Sequence, residues 1–352
     1  MDANEARLLH RTELRPAPAA QAPAPAELWP ELSGVGDAPV TTMMALRAHT
    51  EGGPEVLVYE AAPRPVPRPG EVLVAVHAAA ITPAELTWPE TWASGGVDRT
   101  PVIPSHEVSG VVAEVGAGVL DIAPGDLVYG LVPFDRNGAA AEFVTVPAST
   151  LATRPRSVSH VVAAAAVLPA LTAWEALVDH AAVRPGQDVL VHGGAGGVGS
   201  FVTQLGAALR ARVTATVHGH DADHARELGA ERVITTDDEP FAVPARTFDV
   251  VIDAVGRGVP EVLFGALRRG GRLIALQEPP SQRLAERYGV TAVFFVVTAD
   301  RTRLERLADL IDARRFTVSV AATFPLAEGR AAYERGGRSR PRPGKIVLVV
   351  RN

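Results

Sequence analysis

Val189–Ser200 reads VLVHGGAGGVGS, and the fold of the chain follows from it. Three apolar residues suit a buried strand, glycines turn the chain, and FVTQLGAALRA then runs at helical periodicity. Gly194, Gly196 and Gly199 satisfy G-x-G-x-x-G, with Ala195, Gly197 and Val198 filling the spacing between a predicted strand and a predicted helix. The spacing gives each glycine a task. Gly194 makes the tight turn, Gly196 lets the backbone approach a pyrophosphate, and Gly199 lets the helix pack closely on the strand. Free N–H groups at the helix start then face negative charge. A glycine-rich turn without a ligand shares this pattern, but not the strand–helix units that follow it. The stretch predicts a dinucleotide site.

Downstream, RVTATV, RVITT, FDVVIDAVG and RLIALQ alternate with the helical segments DADHARELG and EVLFGALRRG. Strands alternating with helices imply a parallel sheet. Upstream, two strand-like runs, Val56–Tyr59 and Glu71–Ala79, precede VIPSHEVSGVVAEVG and AAAEFVTVP. Short strands with turn signals between them suggest a compact β-barrel-type domain. HVVAAAAVLPALTAWEALVDHA, from His160, predicts one or two helices broken at Pro169. After VTAVFFVV and a helix from Arg301 to Arg314, FTVSVAATFPL and KIVLVV resemble the first β part again. The expectation is an α/β chain: a barrel-type domain over 43–165 and 315–352, with a doubly wound parallel sheet over 166–314 inserted in it. Residues 1–42 stand apart. RPAPAAQAPAPAE, from Arg15, is too rich in Pro and Ala to build a core and is expected to be disordered. A short amphipathic helix over 3–14 is the alternative use of that tail, as a docking segment.

A net charge of −6 gives no electrostatic footprint for nucleic acid or an anionic membrane. Arginine supplies almost all the positive charge, and Lys345 is the only lysine. The absence of cysteine excludes disulfides and any zinc site built on thiolates. No signal peptide and no apolar run long enough to span a bilayer are read in the sequence, so a cytoplasmic protein is expected.

GGPEVL from Gly52, SHEVSGVVAEVG from Ser105, LTAWEAL from Leu171, HGGAGGVG from His192, RELGAERVI from Arg226, GGRL from Gly270 and GKIVL from Gly344 occur in one order. That ordered set resembles the medium-chain dehydrogenase/reductase superfamily, and within it the zinc-independent quinone oxidoreductase branch, which also contains enoyl reductases. The resemblance covers 45–352. It implies a GroES-like substrate domain and a Rossmann domain, with the active site in the cleft between them.

Zinc-dependent members have a His-Glu pair where His106 and Glu107 stand, and their first ligand is a cysteine in the segment matching Ala79–Glu85. Here that segment is AAITPAE, so His106 reads as a core or pocket histidine and no metal is expected. Loss of the Lewis acid leaves hydride delivery to a quinone or an activated double bond. NAD-specific sites place a carboxylate at the end of the second strand, about 20 residues past the glycines. None stands at the end of RVTATV, which favours NADPH, with His218, His220 and Arg226 as donors to its 2′-phosphate. Arg226 reads equally as a solvated helix residue. Thr236 stands where relatives often have a phosphate-contacting tyrosine.

By position, the resemblance places Thr172 near the nicotinamide or as a helix cap, and Asp253 at a strand end facing the cofactor. It places Phe294, Phe295 and Val296 beside the nicotinamide or in a buried strand, and Lys345 on the ligand or in a structural role. Thr82 replaces an asparagine that contacts nicotinamide. Thr82 and Glu85 are the weak catalytic candidates, Glu85 as an acid only if burial raises its pKa. A solvated Glu85 and a packed lid are the plainer readings. Trp88, Trp92, His106 and Phe134, with Thr82 and Glu85, are expected to wall a pocket for a flat substrate.

Three readings follow. The first is an NADPH-dependent oxidoreductase of quinones or enones. The second is an enoyl reductase acting on thioesters, with a carrier protein as partner. The third is a dinucleotide-binding protein without hydride transfer. A homodimer through RLIALQ or TAVFFVV as an edge strand is expected.

Overall fold

A computed structural model describes residues 41–237, 242–256, 258, 260–336 and 344–351. The N-terminal extension lies outside these residues but for its end, where Thr42 already opens the strand Thr42–Ala48.

Six parallel strands form one sheet in the order Arg232–Thr235, Arg212–Val217, Asp188–His192, Phe248–Asp253, Leu267–Ala275, Thr291–Phe294. In chain order that is third, second, first, fourth, fifth, sixth, the Rossmann arrangement. Val189, Leu190, Val191, Val250, Val251 and Ile252 are all buried, as strands covered on both faces require. The order reverses between Asp188–His192 and Phe248–Asp253. A ligand crevice belongs at the carboxyl ends of those two strands.

The second sheet runs Val320–Pro325, Lys345–Val349, Glu71–Ile81, Glu107–Val115, Leu127–Leu131, Leu151–Thr153, and Phe143–Pro147 also pairs with Glu71–Ile81. Strands from both ends of the chain therefore lie side by side, and the Rossmann sheet is inserted between them. Register then decides what meets. Ile346 pairs with Ile81 and Glu107 pairs with Ala80. Lys345, Thr82 and Glu107 thus share one end of three adjacent strands.

The helix His160–Trp174 runs unbroken through Pro169 and continues as a wider turn over Glu175–His180. The expected break is absent because burial outweighs the one backbone bond that proline removes. Ala164 and Ala165 pack on Ala78, Ala80 and Val347 of the barrel sheet. His160–His180 is also long and apolar enough to cross a bilayer by length and composition, which corrects the sequence reading. Here 78% of its apolar window is buried inside the protein.

Candidate active site

Gly193 has φ +80°, so the turn falls there and not on Gly194 as the spacing suggested. A Cβ on Gly194 would stand 2.6 Å from Ala215 Cβ, so this glycine serves the close approach of the loop to the second strand. A Cβ on Gly199 would lie 2.0 Å from Gly193 O, which is the tight helix packing expected of it. Gly197 meets nothing within 4 Å, and Gly196 only Gly193 O at 3.2 Å. The N–H groups of Gly197 and Val198 have no partner among the described residues. Those free donors at the start of the helix Gly199–Ala208 form a cradle for a phosphate. Ala195 is buried beneath it.

Beneath the loop, His192 Nδ1 lies 2.6 Å from Thr216 Oγ1, which also accepts the Gly193 N–H at 3.2 Å. His192 pairs across the strands with Asp253. Burial holds the imidazole below its ordinary pKa, and the Asp253 charge opposes that. Asp253 Oδ1 accepts the N–H groups of Val255 (3.0 Å) and Gly256 (3.3 Å), while its buried Oδ2 has no hydrogen-bond partner. An orphaned acceptor at the strand-order reversal suits a ligand hydroxyl. A dinucleotide fits this set of donors and acceptors.

At the end of the second strand, His218 and His220 are exposed, with parallel rings whose centroids are 5.8 Å apart. Arg226 is tied to Asp223 one helical turn away (2.7 Å), so the structure gives it the solvated-helix role. A carboxylate does stand here after all. Asp237, from beyond the neighbouring strand, accepts the Gly219 N–H at 2.9 Å and lies 3.5 Å from His218 Nδ1. It was missed because it enters through strand register, Val217 beside Thr235, and not through the second strand itself.

Thr172 caps nothing; it sits inside its helix and its hydroxyl donates to Leu168 O at 2.7 Å. Phe294 ends the outermost strand of the sheet, Phe295 packs on the His180 ring at 4.5 Å, and Val296 is exposed.

The barrel end is the most densely bonded part of the site. Lys345 Nζ lies 2.5 Å from Glu107 Oε1 and donates to Thr82 Oγ1 at 2.9 Å. Glu107 Oε2 accepts the Leu168 N–H at 3.1 Å, which ties the cluster to the helix carrying Thr172. Burial raises the Glu107 carboxyl, and the Lys345 charge pulls it back. Gly344 supplies the turn: its φ is +126°, and a Cβ would meet Ser319 O at 2.5 Å.

Glu85 is buried, not solvated. Its Oε1 accepts the Tyr333 O–H (2.5 Å) and, more weakly, the Thr82 N–H (3.4 Å), while its Oε2 accepts the Ser105 N–H (2.9 Å). Ser105 is held at φ +70°, a conformation most residues avoid, so the Glu85 carboxyl group fastens a strained turn. Burial pushes the Glu85 carboxyl up to about 7 against the pull of those donors. His106 Nε2 stands 3.9 Å from Glu85 Oε2, and its Nδ1 is 3.1 Å from Val132 O. Burial pushes this imidazole down to about 4. Two neighbouring groups are therefore both held neutral near pH 6.

The Phe134 ring joins two of the expected wall residues, 5.0 Å from His106 and edge-on to Trp88 at 5.6 Å. Arg99 holds this loop by donating to Phe134 O at 2.9 Å. Trp92 is not part of the wall. It is buried in the barrel core with its Nε1 donating to Leu86 O at 3.1 Å.

Comparison with known proteins agrees with this geometry. The model of the alcohol dehydrogenase GroES-like domain matches residues 68–156, and that of zinc-binding dehydrogenases matches 228–348. The chain is 30% identical to the 2-methylene-furan-3-one reductase of Solanum lycopersicum, over 79% of this chain and 71% of that one. It is also 30% identical to the NADPH-dependent alkenal/one oxidoreductase of Arabidopsis thaliana, over 80% and 72%. The chain belongs to the medium-chain dehydrogenase/reductase superfamily. The quinone oxidoreductase of Coxiella burnetii superposes with a TM-score of 0.77 at 27% identity, covering 88% of this chain and all of that one. An oxidoreductase on a GroES-like plus Rossmann framework is the identity these matches support.

Zinc, which some members of this superfamily hold, does not fit these residues. There is no thiolate, His106 Nδ1 is engaged by Val132 O, and Glu85 is occupied by Tyr333 and Ser105. No group of three His, Cys, Asp or Glu side chains able to hold a metal occurs among the described residues. Tyr333, Ser105 and Glu107 complete the site, and sequence reading gave them no role. The only signal was Glu107 beside His106.

Proposed function

We propose that this protein transfers a hydride from NADPH to a quinone or to a carbon–carbon double bond conjugated to a carbonyl. The observation that carries the reading is the barrel-end cluster. Where zinc-dependent relatives begin their metal site, this chain has the Thr82 hydroxyl bonded to the Lys345 ammonium. An acceptor oxygen there meets hydrogen-bond donors in place of a Lewis acid, which suits a conjugated acceptor better than a simple alcohol. The similarity to the tomato furanone reductase and the Arabidopsis alkenal/one oxidoreductase supports the same substrate class.

NADPH, when bound, supplies the hydride and its two electrons. The chain's own part is positional. Gly197 and Val198 N–H groups hold the pyrophosphate, Asp253 Oδ2 accepts from a ribose hydroxyl, and His218 and His220 face the 2′-phosphate. Trp88 and Phe134 shield a flat acceptor from water. By the resemblance, Phe294 to Val296 would border the nicotinamide.

The test is oxidation of NADPH and of NADH against free quinones, short enones and enoyl thioesters. Turnover of quinones or enones is expected, faster with NADPH. Turnover of thioesters alone would move the assignment to a biosynthetic enoyl reductase, and dinucleotide binding without any turnover would remove the hydride chemistry.

A further inference from the structure

The barrel sheet gathers a second group of charges, and strand register sets it up. Ala78 lies opposite Val349 on one side and Ser109 on the other, while Val128 lies opposite Gly110 and Thr153. The neighbours of these residues carry the charge. The N–H groups of Val350 (2.9 Å) and Arg351 (3.3 Å) both meet His77 O, and the Arg154 N–H donates to Leu127 O at 2.9 Å. One row across five adjacent strands thus brings Arg351, His77, Ser109 and Arg154 together. The start of the helix His160–Trp174 closes over the row. The His160 ring stacks on His77 with centroids 4.5 Å apart, and its Nδ1 lies 2.8 Å from Ser109 Oγ. Five residues of extended strand, about 16 Å in length, separate His77 from Thr82.

Negative charge is what this row lacks. Arg154 Nε is buried without a hydrogen-bond partner, and no carboxylate among the described residues pairs with Arg154 or Arg351. The Arg351 guanidinium lies over the Phe143 ring at 4.4 Å. Arg64 lies over the same ring but is balanced by Glu114 at 2.7 Å. Asp312, on the helix Arg301–Asp312, accepts the N–H groups of Arg156 and Ser157 instead. Burial, and after it the neighbouring positive groups, hold both imidazoles below their ordinary value, His160 down to about 4. Positive charge withdrawn from water without a counter-ion is costly.

Ser109 fixes how His160 can respond. Its hydroxyl has one proton, which goes to Val128 O at 3.1 Å. Ser109 Oγ is then an acceptor toward the ring, so His160 Nδ1 carries a hydrogen and Nε2 is the atom that titrates.

We propose that His77, His160, Arg154 and Arg351 form a binding site for a doubly charged oxyanion of the phosphate or sulfate type, and that the anion enters together with one proton. The two guanidinium groups supply permanent charge. The stacked imidazoles take up the proton between them, one only, because two imidazolium rings so close would repel each other. The anion raises the pKa of the ring it meets. Affinity therefore rises as pH falls from about 7, and levels off near 4, where the free protein already holds the proton. None of this depends on hydride transfer.

Sulfate is the probe, because it stays doubly charged across that range and does not titrate itself. Calorimetric titration at constant ionic strength, with and without saturating NADPH, should show saturable binding and uptake of a proton. The C2 proton signals of His77 and His160 should shift along the same curve. Arg154→Gln should weaken binding on the order of 10–100-fold, yet melt no lower than wild type without sulfate, since it removes a repelled charge. The double variant His77→Gln, His160→Gln should still bind sulfate at about pH 8 but lose the strengthening toward pH 5, which reaches at most about tenfold per pH unit for one proton. Phenyl phosphate separates the sources: binding like that of sulfate means that the site takes the phosphoryl group of a larger molecule, and its exclusion means a free ion. An unsaturable response, equal affinity for wild type and Arg154→Gln, or affinity independent of pH would overturn the proposal. So would displacement of sulfate by NADPH, which would put the ion on the glycine loop.

Discussion

The two halves of the site are built in opposite ways. The phosphate-binding core of the dinucleotide half is one continuous stretch, Val189–Ser200, in which glycine geometry and a helix start supply the binding groups within a few residues of each other. The acceptor half is assembled from Thr82, Glu85, Ser105, His106, Glu107, Tyr333 and Lys345, so its ends are 263 residues apart at the Lys345–Thr82 bond. Local geometry suffices for the first. The second exists only once three barrel strands are in register, and its chemistry is held by buried charges. A backbone change should therefore damage the first half most, and a charge change the second.

The largest effect should come from the backbone. Gly199→Ala places a Cβ 2.0 Å from Gly193 O, a contact with rigid backbone that nothing can relieve cheaply. The expected cost is about 3 kcal/mol, with dinucleotide affinity falling on the order of 100-fold through loss of loop geometry. Gly197→Ala is the control, since nothing lies within 4 Å of its Cβ. It should melt within about 0.5 kcal/mol of wild type yet bind NADPH more weakly, because the open space belongs to the ligand. Thermal melts and NADPH fluorescence titrations decide it. Unchanged NADPH binding by Gly197→Ala would mean that the loop is not a ligand cradle.

The acceptor half should show itself in pH dependence. Glu85 is raised from 4.5 to about 7, so the folded protein binds a proton that the unfolded chain has released; this stabilises below pH 4.5 and is lost as pH rises through 7. His106 is lowered from 6.5 to about 4, so its contribution is present above pH 6.5 and lost as pH falls through 4. Each amounts to about 3 kcal/mol at full extent, from 1.36 kcal/mol per pKa unit. Between pH 4.5 and 6.5 the two slopes oppose one another, and the wild-type contribution of the pair should be nearly flat. Glu85→Gln should leave stability rising with pH from about 4 to 6.5, and His106→Asn should leave it falling from about 4.5 to 7. Urea unfolding across that range reads the slopes directly. Two variants with the same slope as wild type would show that the pair is open to solvent.

This contrast also governs what could be read in advance. Strand–helix alternation and the return of KIVLVV to the first domain were legible because hydrophobic period and motif order are local or ordered properties. The turn was misplaced by one residue, from Gly193 to Gly194, since spacing fixes which glycines are needed but not which adopts positive φ. Pro169 looked like a helix end because propensity rules describe exposed helices, whereas this one is enclosed by the barrel sheet. Glu85 looked solvated because a lone carboxylate in PAELTW carries no sign of Tyr333, 248 residues away, or of the strained Ser105. Trp88 and Trp92 read alike as pocket walls, and only the fold separates them, one against Phe134 and the other in the core.

The smallest effect should lie at the adenosine end, where every group is exposed. His218 and His220 present parallel rings to solvent, and Asp237 brings a negative charge 3.5 Å from His218. A 2′-phosphate would be drawn by the first two and repelled by the third. Removing both imidazoles with His218→Ala and His220→Ala should lower the NADPH/NADH affinity ratio on the order of 10-fold, because exposed charge interactions are worth about 1 kcal/mol or less apiece. Asp237→Asn should raise the same ratio by a few fold, with the larger change in NADPH, since the amide keeps a side chain beside the Gly219 N–H without the repulsion. Arg226→Ala should leave the ratio unchanged, because its guanidinium is already spent on Asp223. Titration of each variant with both dinucleotides at low ionic strength gives the three ratios. A rise that came instead from weakened NADH binding would reverse the assignment: the carboxylate would then be holding a ribose hydroxyl, and NADH would be the natural partner of this loop.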